Sequence, residues 1–164
     1  MKIKNTIRVI LADDHAMIRR GIRRILEKAS NILVIGEAST GAGAIHLVQE
    51  LQPDVLLLDI EMPDMQGLNV AQELRTNHVP ISILILSACA DDHFIEETLQ
   101  MGVDGYLNKS EPPAKIREAV FHVSEKRNVI ALTSLLIFLL PKIGWALYQA
   151  LDLVNALSLD INFF

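Results

Sequence analysis

The sequence predicts an α/β fold, a doubly wound sheet of five parallel strands, and two observations carry that expectation. Apolar runs of strand length alternate five times in succession with stretches of helical periodicity. Polar groups capable of chemistry, Asp13-Asp14, Asp59, Ser87 and Lys109, stand at or just beyond the ends of four of those runs. In a parallel sheet the carboxyl ends of neighbouring strands open into one crevice, so these groups are expected to share it.

The elements follow in order. Residues 7–12 form an apolar strand closed by Asp13-Asp14, and residues 17–29 have helical spacing. A strand over 33–38 leads to a helix over 40–51, opened by a Thr40-Gly41 cap and ended before Pro53. The strand over 55–59 ends in Asp59 and is followed by a helix over 68–77, and the apolar run 81–86 ends in Ser87. A helix over 92–101 is closed by Gly102 as a C-cap. The short strand 105–108 leads into Lys109, and the last helix spans 112–126, with Pro112-Pro113 tolerated only in its first turn.

A chain of 164 residues with 51% hydrophobic content suits one such domain plus an appendage. Its net charge of -5 argues against a broad nucleic-acid surface. Arg19, Arg20, Arg23 and Arg24 cluster, but they spread around a helix between Met17, Ile18, Ile22, Ile25 and Leu26, which reads as a solvated face. Cys89 is the only cysteine, so no internal disulfide forms and a reducing cytoplasm is expected. His93 is its only local candidate base, and a structural cysteine is the expectation rather than a nucleophile. The apolar stretch 7–12 is too short for a signal peptide and runs straight into two aspartates.

Composition changes after Asn128. From 129 to 164 the only charged side chains are Lys142, Asp152 and Asp160, and residues 135–140 are wholly apolar. The expected division is therefore a site-bearing domain over 1–128 and an apolar, helical extension over 129–164. A basic recognition helix is missing, so no DNA-binding module is expected in this chain. A membrane span over 129–151 would bury Lys142 near its centre at about 2.5–3.5 kcal/mol, against roughly 0.3–0.6 kcal/mol returned by each large apolar residue. Pro141 tips the balance by splitting the segment into two pieces near the length of buried helices. The expectation is a cytoplasmic protein that self-associates as a homodimer through 129–164, with membrane tethering not favoured.

Three carboxylates brought to one crevice repel one another and call for a cation. Mg²⁺, a hard ion that prefers oxygen ligands and leaves room for phosphate oxygens, is the natural candidate. Asp59 is the expected nucleophile, since a carboxylate at an exposed strand end can attack a phosphoryl group and hold it as an acyl phosphate; the plainer reading is a turn or cap aspartate. Lys109 can stabilise spread phosphoryl charge from the other side. Tyr106, in the plainer reading, is a half-buried edge aromatic with its hydroxyl in water. His15 is read as the start of the first helix, because oxygen donors suit Mg²⁺ better than a nitrogen-seeking metal.

Taken together, Asp13-Asp14, the Asp59 segment with Pro63 and Gly67 four and eight residues downstream, Ser87 with the small Ala88 after it, and Tyr106 three residues before Lys109 resemble the receiver domain of two-component response regulators. The resemblance covers roughly residues 5–127. The wording Ala12-Asp13-Asp14-His15 and the segment from Tyr106 to Pro113 are most like the LuxR/NarL-type subgroup. It implies a flavodoxin-like sheet of order 2-1-3-4-5 with five helices. It also implies direct Mg²⁺ ligation by Asp14, Asp59 and the backbone carbonyl of Glu61, with Asp13 acting mainly through water. Asp59 would accept a phosphoryl group from a sensor histidine kinase or phosphotransfer protein, and Ser87 and Tyr106 would move together to reshape an interaction face. Such a protein is a phosphoprotein switch rather than an enzyme. Many receivers have proline after the lysine; Ser110 stands here, so no cis peptide is expected at that bond. A phosphohydrolase of the haloacid-dehalogenase type also uses an aspartyl phosphate, but its Asp-x-Asp pattern on the first strand is not supplied by Asp13-Asp14-His15.

Overall fold

A computed structural model describes residues 6–88, 98 and 101–125 and the backbone of 129–130. The expectations for Cys89, His93, most of the helix over 92–101 and the segment beyond Ile130 lie outside the described residues. The described residues belong to one compact unit, Met1–Ile130. Along the chain come β1 (Ile7–Ala12), α1 (Ala16–Leu26), β2 (Ile32–Ala38), α2 (Gly41–Leu51), β3 (Val55–Asp59), α3 (Gly67–Thr76), β4 (Ser82–Ser87), β5 (Gly105–Asn108), α4 (Pro113–Ser124) and β6 (Val129–Ile130). The sheet order is β2-β1-β3-β4-β5-β6 with every pairing parallel, so the five expected strands take the expected order. The sixth strand is a difference. Val129 and Ile130, read from sequence as the start of a helical extension, pair instead with Gly105 and Tyr106 on the otherwise open edge of β5. No described peptide bond is cis, as Ser110 led us to expect.

Both faces of the sheet are covered, and this is why β3 and β4 are unbroken apolar runs, buried at every residue, rather than alternating ones. One face gathers Ile10, Leu56, Leu58, Ile83 and Ile85 with α2 and α3; the other gathers Val9, Leu11, Leu57, Leu84 and Leu86 with α1 and α4. On α1, Ile22 and Leu26 are buried, whereas Met17 is 85% exposed.

β2 contains a bulge that matters for the site. Its register against β1 slips between Val9↔Val34 and Ile10↔Gly36, which inserts one residue. Because side chains alternate faces with period two, one extra residue exchanges the faces of everything after it. Ile32 and Val34 therefore lie on the α1 side, Ala38 lies on the α2 side, and Glu37, paired with Leu11, is brought to the α1 side.

The helix ends are set by local chemistry. Thr40 caps α2 as expected, its hydroxyl accepting the Gly43 N–H at 3.1 Å. A second cap comes from a distant loop: the Asp64 carboxylate accepts the N–H groups of Gly41 and Ala42 at 2.8 and 3.0 Å. At the other end Gln52 takes a left-handed φ of 45° before Pro53, and Arg8 donates to the carbonyls of Leu51 and Gln52 at 2.8 and 3.0 Å. Gly102 takes a left-handed φ of 68°, and Pro113 sits in the first turn of α4. The two backbone N–H groups of α2 hold the Asp64 carboxyl below its ordinary value, so its stabilisation is present above the usual carboxylate range and is lost as pH falls through the lowered value. Asp64→Ala is expected to lower the melting temperature at neutral pH, with the difference from the parent vanishing in acid; an equal difference at every pH would contradict the capping role.

Candidate functional site

The registers align the ends of four strands. Ala12 pairs with Leu58, Asp59 with Leu86, and Ser87 with Asn108, which sets Asp13, Asp59, Ser87 and Lys109 along one edge of the sheet. The Lys109 N–H continues the β4–β5 ladder by donating to the Ser87 carbonyl at 2.7 Å.

The Lys109 ammonium lies 2.7 Å from Asp13 Oδ2 and 2.6 Å from Asp59 Oδ2, with 11% of its side chain exposed. Asp13 is held on all sides. Its N–H donates to Ala38 O at 3.1 Å, its carbonyl accepts Arg19 Nη1 at 2.6 Å, and its Oδ1 accepts the His15 N–H at 2.7 Å. His15 occupies the N-cap position of α1, but its side chain caps nothing; the ring turns instead to Asp14, Nδ1 standing 2.6 Å from Oδ1.

Asp13 and Asp59 are each only 3% exposed. Burial pushes the Asp59 carboxyl above its ordinary value; the bond from Lys109 opposes this without overcoming it, and Asp13 pushes further in the same direction. Burial acts to lower the Lys109 ammonium, but the bonds to Asp13 and Asp59 prevail and hold it above its ordinary value. Both directions describe one pocket, in which a single cation is shared between two buried carboxylates and Asp59 is not fully compensated.

That imbalance tests the fit of a divalent cation. Asp13, Asp14, His15 and Asp59 offer ligand atoms that all lie within 4.8 Å of one another. Three of the four donors are carboxylates; Lys109 contacts Asp13 and Asp59, the His15 ring contacts Asp14, and Asp14 is a third exposed on its side chain, open to solvent and to an incoming anion. A hard, oxygen-seeking divalent ion such as Mg²⁺ fits this donor set.

The loop after β3 closes tightly over the nucleophile candidate. Gly67 N–H donates to Ile60 O at 2.8 Å, and a Cβ on Gly67 would stand 2.0 Å from the Asp59 carbonyl oxygen. The Glu61 N–H supports the Asp59 carboxylate. Ser87 and Tyr106 are both buried, Tyr106 to 2% exposure. The half-buried edge position read for Tyr106 is thus corrected: β5 is not the edge, since Tyr106 pairs with Ile130 of β6.

Sequence reasoning assigned the arginines of α1 to a solvated face. That holds for Arg20 and Arg24, which are exposed. It fails for Arg19, 17% exposed, which reaches Asp13; Arg23, 42% exposed, stays at the surface and bonds Glu37 and Glu27 at 2.6 and 2.7 Å. Among the described residues, no helix is long and apolar enough to cross a membrane.

Comparison with known proteins agrees with this geometry. The family model of the response regulator receiver domain matches residues 9–121. The Escherichia coli K12 nitrate/nitrite response regulator protein NarL is 35% identical over 130 residues, which cover 78% of this chain and 60% of that protein. Response regulator GacA of Pseudomonas viridiflava is 35% identical over 114 residues, 70% of this chain and 53% of that one. The chain thus spans less than two thirds of the length of these relatives. The signal receiver domain of NarL from Mycobacterium tuberculosis superposes with a TM-score of 0.73 at 36% identity, covering 75% of this chain and 99% of that one. A LuxR-family two-component response regulator from Aurantimonas sp. SI85-9A1 does so with a TM-score of 0.73 at 29% identity, covering 76% and 89%. None of this supports the phosphohydrolase reading. With strand ends delivering two buried aspartates and a shared lysine to one pocket, with Ser87 ending the strand beside them, and with this match across most of the described residues, the chain belongs to the response regulator receiver family of two-component systems, of the NarL/LuxR type, whose receiver domains are signalling switches rather than enzymes in the usual sense.

Proposed function

We propose that the chain accepts a phosphoryl group on Asp59 in a Mg²⁺-dependent reaction with a phosphohistidine donor, a sensor histidine kinase or a phosphotransfer protein, and that it does so in the cytoplasm. The observation that carries this reading is Lys109 Nζ lying between Asp13 Oδ2 and Asp59 Oδ2 at 2.7 and 2.6 Å in a pocket with acid in excess. The Asp59 carboxylate attacks phosphorus as the donor nitrogen leaves, forming an acyl phosphate. Lys109 is placed to follow the charge from the carboxylate to the transferring phosphoryl oxygens, which is the stabilisation that a loose phosphoryl-transfer transition state requires. When bound, Mg²⁺ would be held by Asp14, Asp59 and the Glu61 carbonyl, with Asp13 acting through water, and would supply positive charge to the phosphoryl oxygens. No general base is needed, because the nucleophile is already an anion.

Switching is assigned to Ser87 and Tyr106. Ser87 ends β4 one residue beyond the partner of Asp59, and Tyr106 pairs with Ile85 on the neighbouring strand. A hydrogen bond from the Ser87 hydroxyl to the new phosphoryl oxygens would disturb the packing around Tyr106 and so alter the outer face of β5 and its neighbours.

The test is labelling of the full chain by acetyl phosphate, read by mass spectrometry of the intact protein and its peptides. One phosphoryl group at Asp59 is expected with Mg²⁺, none in chelator and none in Asp59→Asn. Labelling that persists in Asp59→Asn, or that maps to Asp13 or Asp14, would refute the assignment.

A further inference from the structure

We propose that Arg19 is a positioning residue for the cation-binding acids, and that Glu37 and Arg23 hold it in place. The proposal rests on the Mg²⁺-dependent reading of the pocket and adds residues that the pocket itself does not contain. Arg19 lies one helical turn past the Asp13–His15 corner, and its Nη1 donates to the Asp13 main-chain carbonyl at 2.6 Å. A bond from a cation to a carbonyl is stronger than a neutral one, and here it fixes the residue that also bonds Lys109. The other bonds of Asp13 reach its N–H and its carboxylate; Arg19 is what holds its carbonyl.

Arg19 is itself paired with Glu37, through charge rather than a hydrogen bond. Its Nε stands 3.5 Å from Glu37 Oε2, Glu37 Oε1 accepts Arg23 Nη1 at 2.6 Å, and Arg23 Nε donates to Glu27 at 2.7 Å. The β2 bulge is what brings Glu37 to this side of the sheet. With 17% of its side chain exposed, Arg19 is shielded from water, and its charge acts on Asp13 and Glu37 at short range rather than being screened away. The arrangement is the outer support of a ligand set, in which groups that never touch the ion determine where its ligands stand.

The experiment measures Mg²⁺ affinity by calorimetry on the full chain, and the acetyl phosphate labelling rate against Mg²⁺ concentration, for the parent, Arg19→Gln, Arg19→Lys, Glu37→Gln and the exposed control Arg24→Gln. Arg19→Gln is expected to weaken Mg²⁺ binding about tenfold, the lower end of the effect of removing an outer support. Its labelling rate at saturating Mg²⁺ should stay within about twofold of the parent, because the nucleophile and Lys109 are untouched. Arg19→Lys should recover part of the affinity, Glu37→Gln should show a smaller loss in the same sense, and Arg24→Gln should show none. Unchanged Mg²⁺ affinity in Arg19→Gln overturns the proposal. So does a loss of labelling that saturating Mg²⁺ does not restore together with a lowered melting temperature, which would make Arg19 merely structural. If Arg19→Gln fails to fold, unchanged Mg²⁺ affinity in Glu37→Gln overturns it as well. A parent that binds no Mg²⁺ would refute the underlying reading instead.

Discussion

Gly67→Ala is expected to destabilise the fold by about 3 kcal/mol, the upper part of the usual range for overpacking, and to abolish phosphoryl labelling. The cause is contact rather than conformation. Among the described residues Gly102 is the glycine with a left-handed φ, and none of them lies within 4 Å of a Cβ there, whereas a Cβ on Gly67 would stand 2.0 Å from Asp59 O and 2.9 Å from Asp59 C. Those are backbone atoms of a fully buried strand, so they cannot rotate away as a side-chain tip could. Either β3 moves and carries the Asp59 carboxylate out of reach of Lys109, or the loop moves and breaks the Gly67–Ile60 bond. A denaturant midpoint equal to that of the parent would show that the close approach is absent in solution.

Lys109→Met is expected to cost about 3–5 kcal/mol at neutral pH in chelator, the usual penalty for leaving buried charge without its partner. The sign of the pH dependence distinguishes this from lost packing. Lys109 is raised above its ordinary value, so its contribution is present at neutral pH and is lost as pH rises through that higher value. Asp59 is already raised by burial, and without the ammonium it is raised further, so in acid it is protonated and no longer needs a cation. The deficit of the variant should therefore be small in acid, grow as pH rises through the raised Asp59 value, and shrink again in strong base where the parent loses its own ammonium. Mg²⁺ should restore part of the stability at neutral pH by answering the same carboxylates. Denaturant midpoints against pH, in chelator and in Mg²⁺, measure this; a deficit independent of pH would remove the electrostatic account.

The fold was readable because its signals are local. Alternating apolar runs and helical periods, Thr40 at a helix start, Pro53 past a helix end, and Pro113 in a first turn each state their role within a few residues, and the structure places them so. The pocket was readable for a related reason: an acid, a hydroxyl or an amine at the end of an apolar run has little choice but to emerge at the sheet edge. What could not be read depends on atoms far apart in sequence. Arg19 bonds a carbonyl, which every residue possesses, so no spacing announces it. Glu37 faces Arg19 only because a bulge reverses the alternation of β2, and period-two counting assigns it to the other side. Tyr106 is covered on its edge by two residues that composition assigned to an extension. Asp64 crosses from one βα loop to cap the helix of another, a contact of side chain with bare backbone.

The loop between Ile60 and Gly67 is fastened at its ends by the Gly67–Ile60 bond and at its middle by Asp64 on the first turn of α2. A segment pinned in this way has little freedom left to lose, so the Asp59 carboxylate, which we propose as the nucleophile, would stand at its working position before any charge arrives. In the proposed phosphoryl transfer the reorganisation would then fall on Lys109, whose four-carbon stem would let one ammonium leave a carboxylate and follow the negative charge as it moves. On this account the reaction barrier depends less on assembling the site than on how readily a single shared cation changes partners.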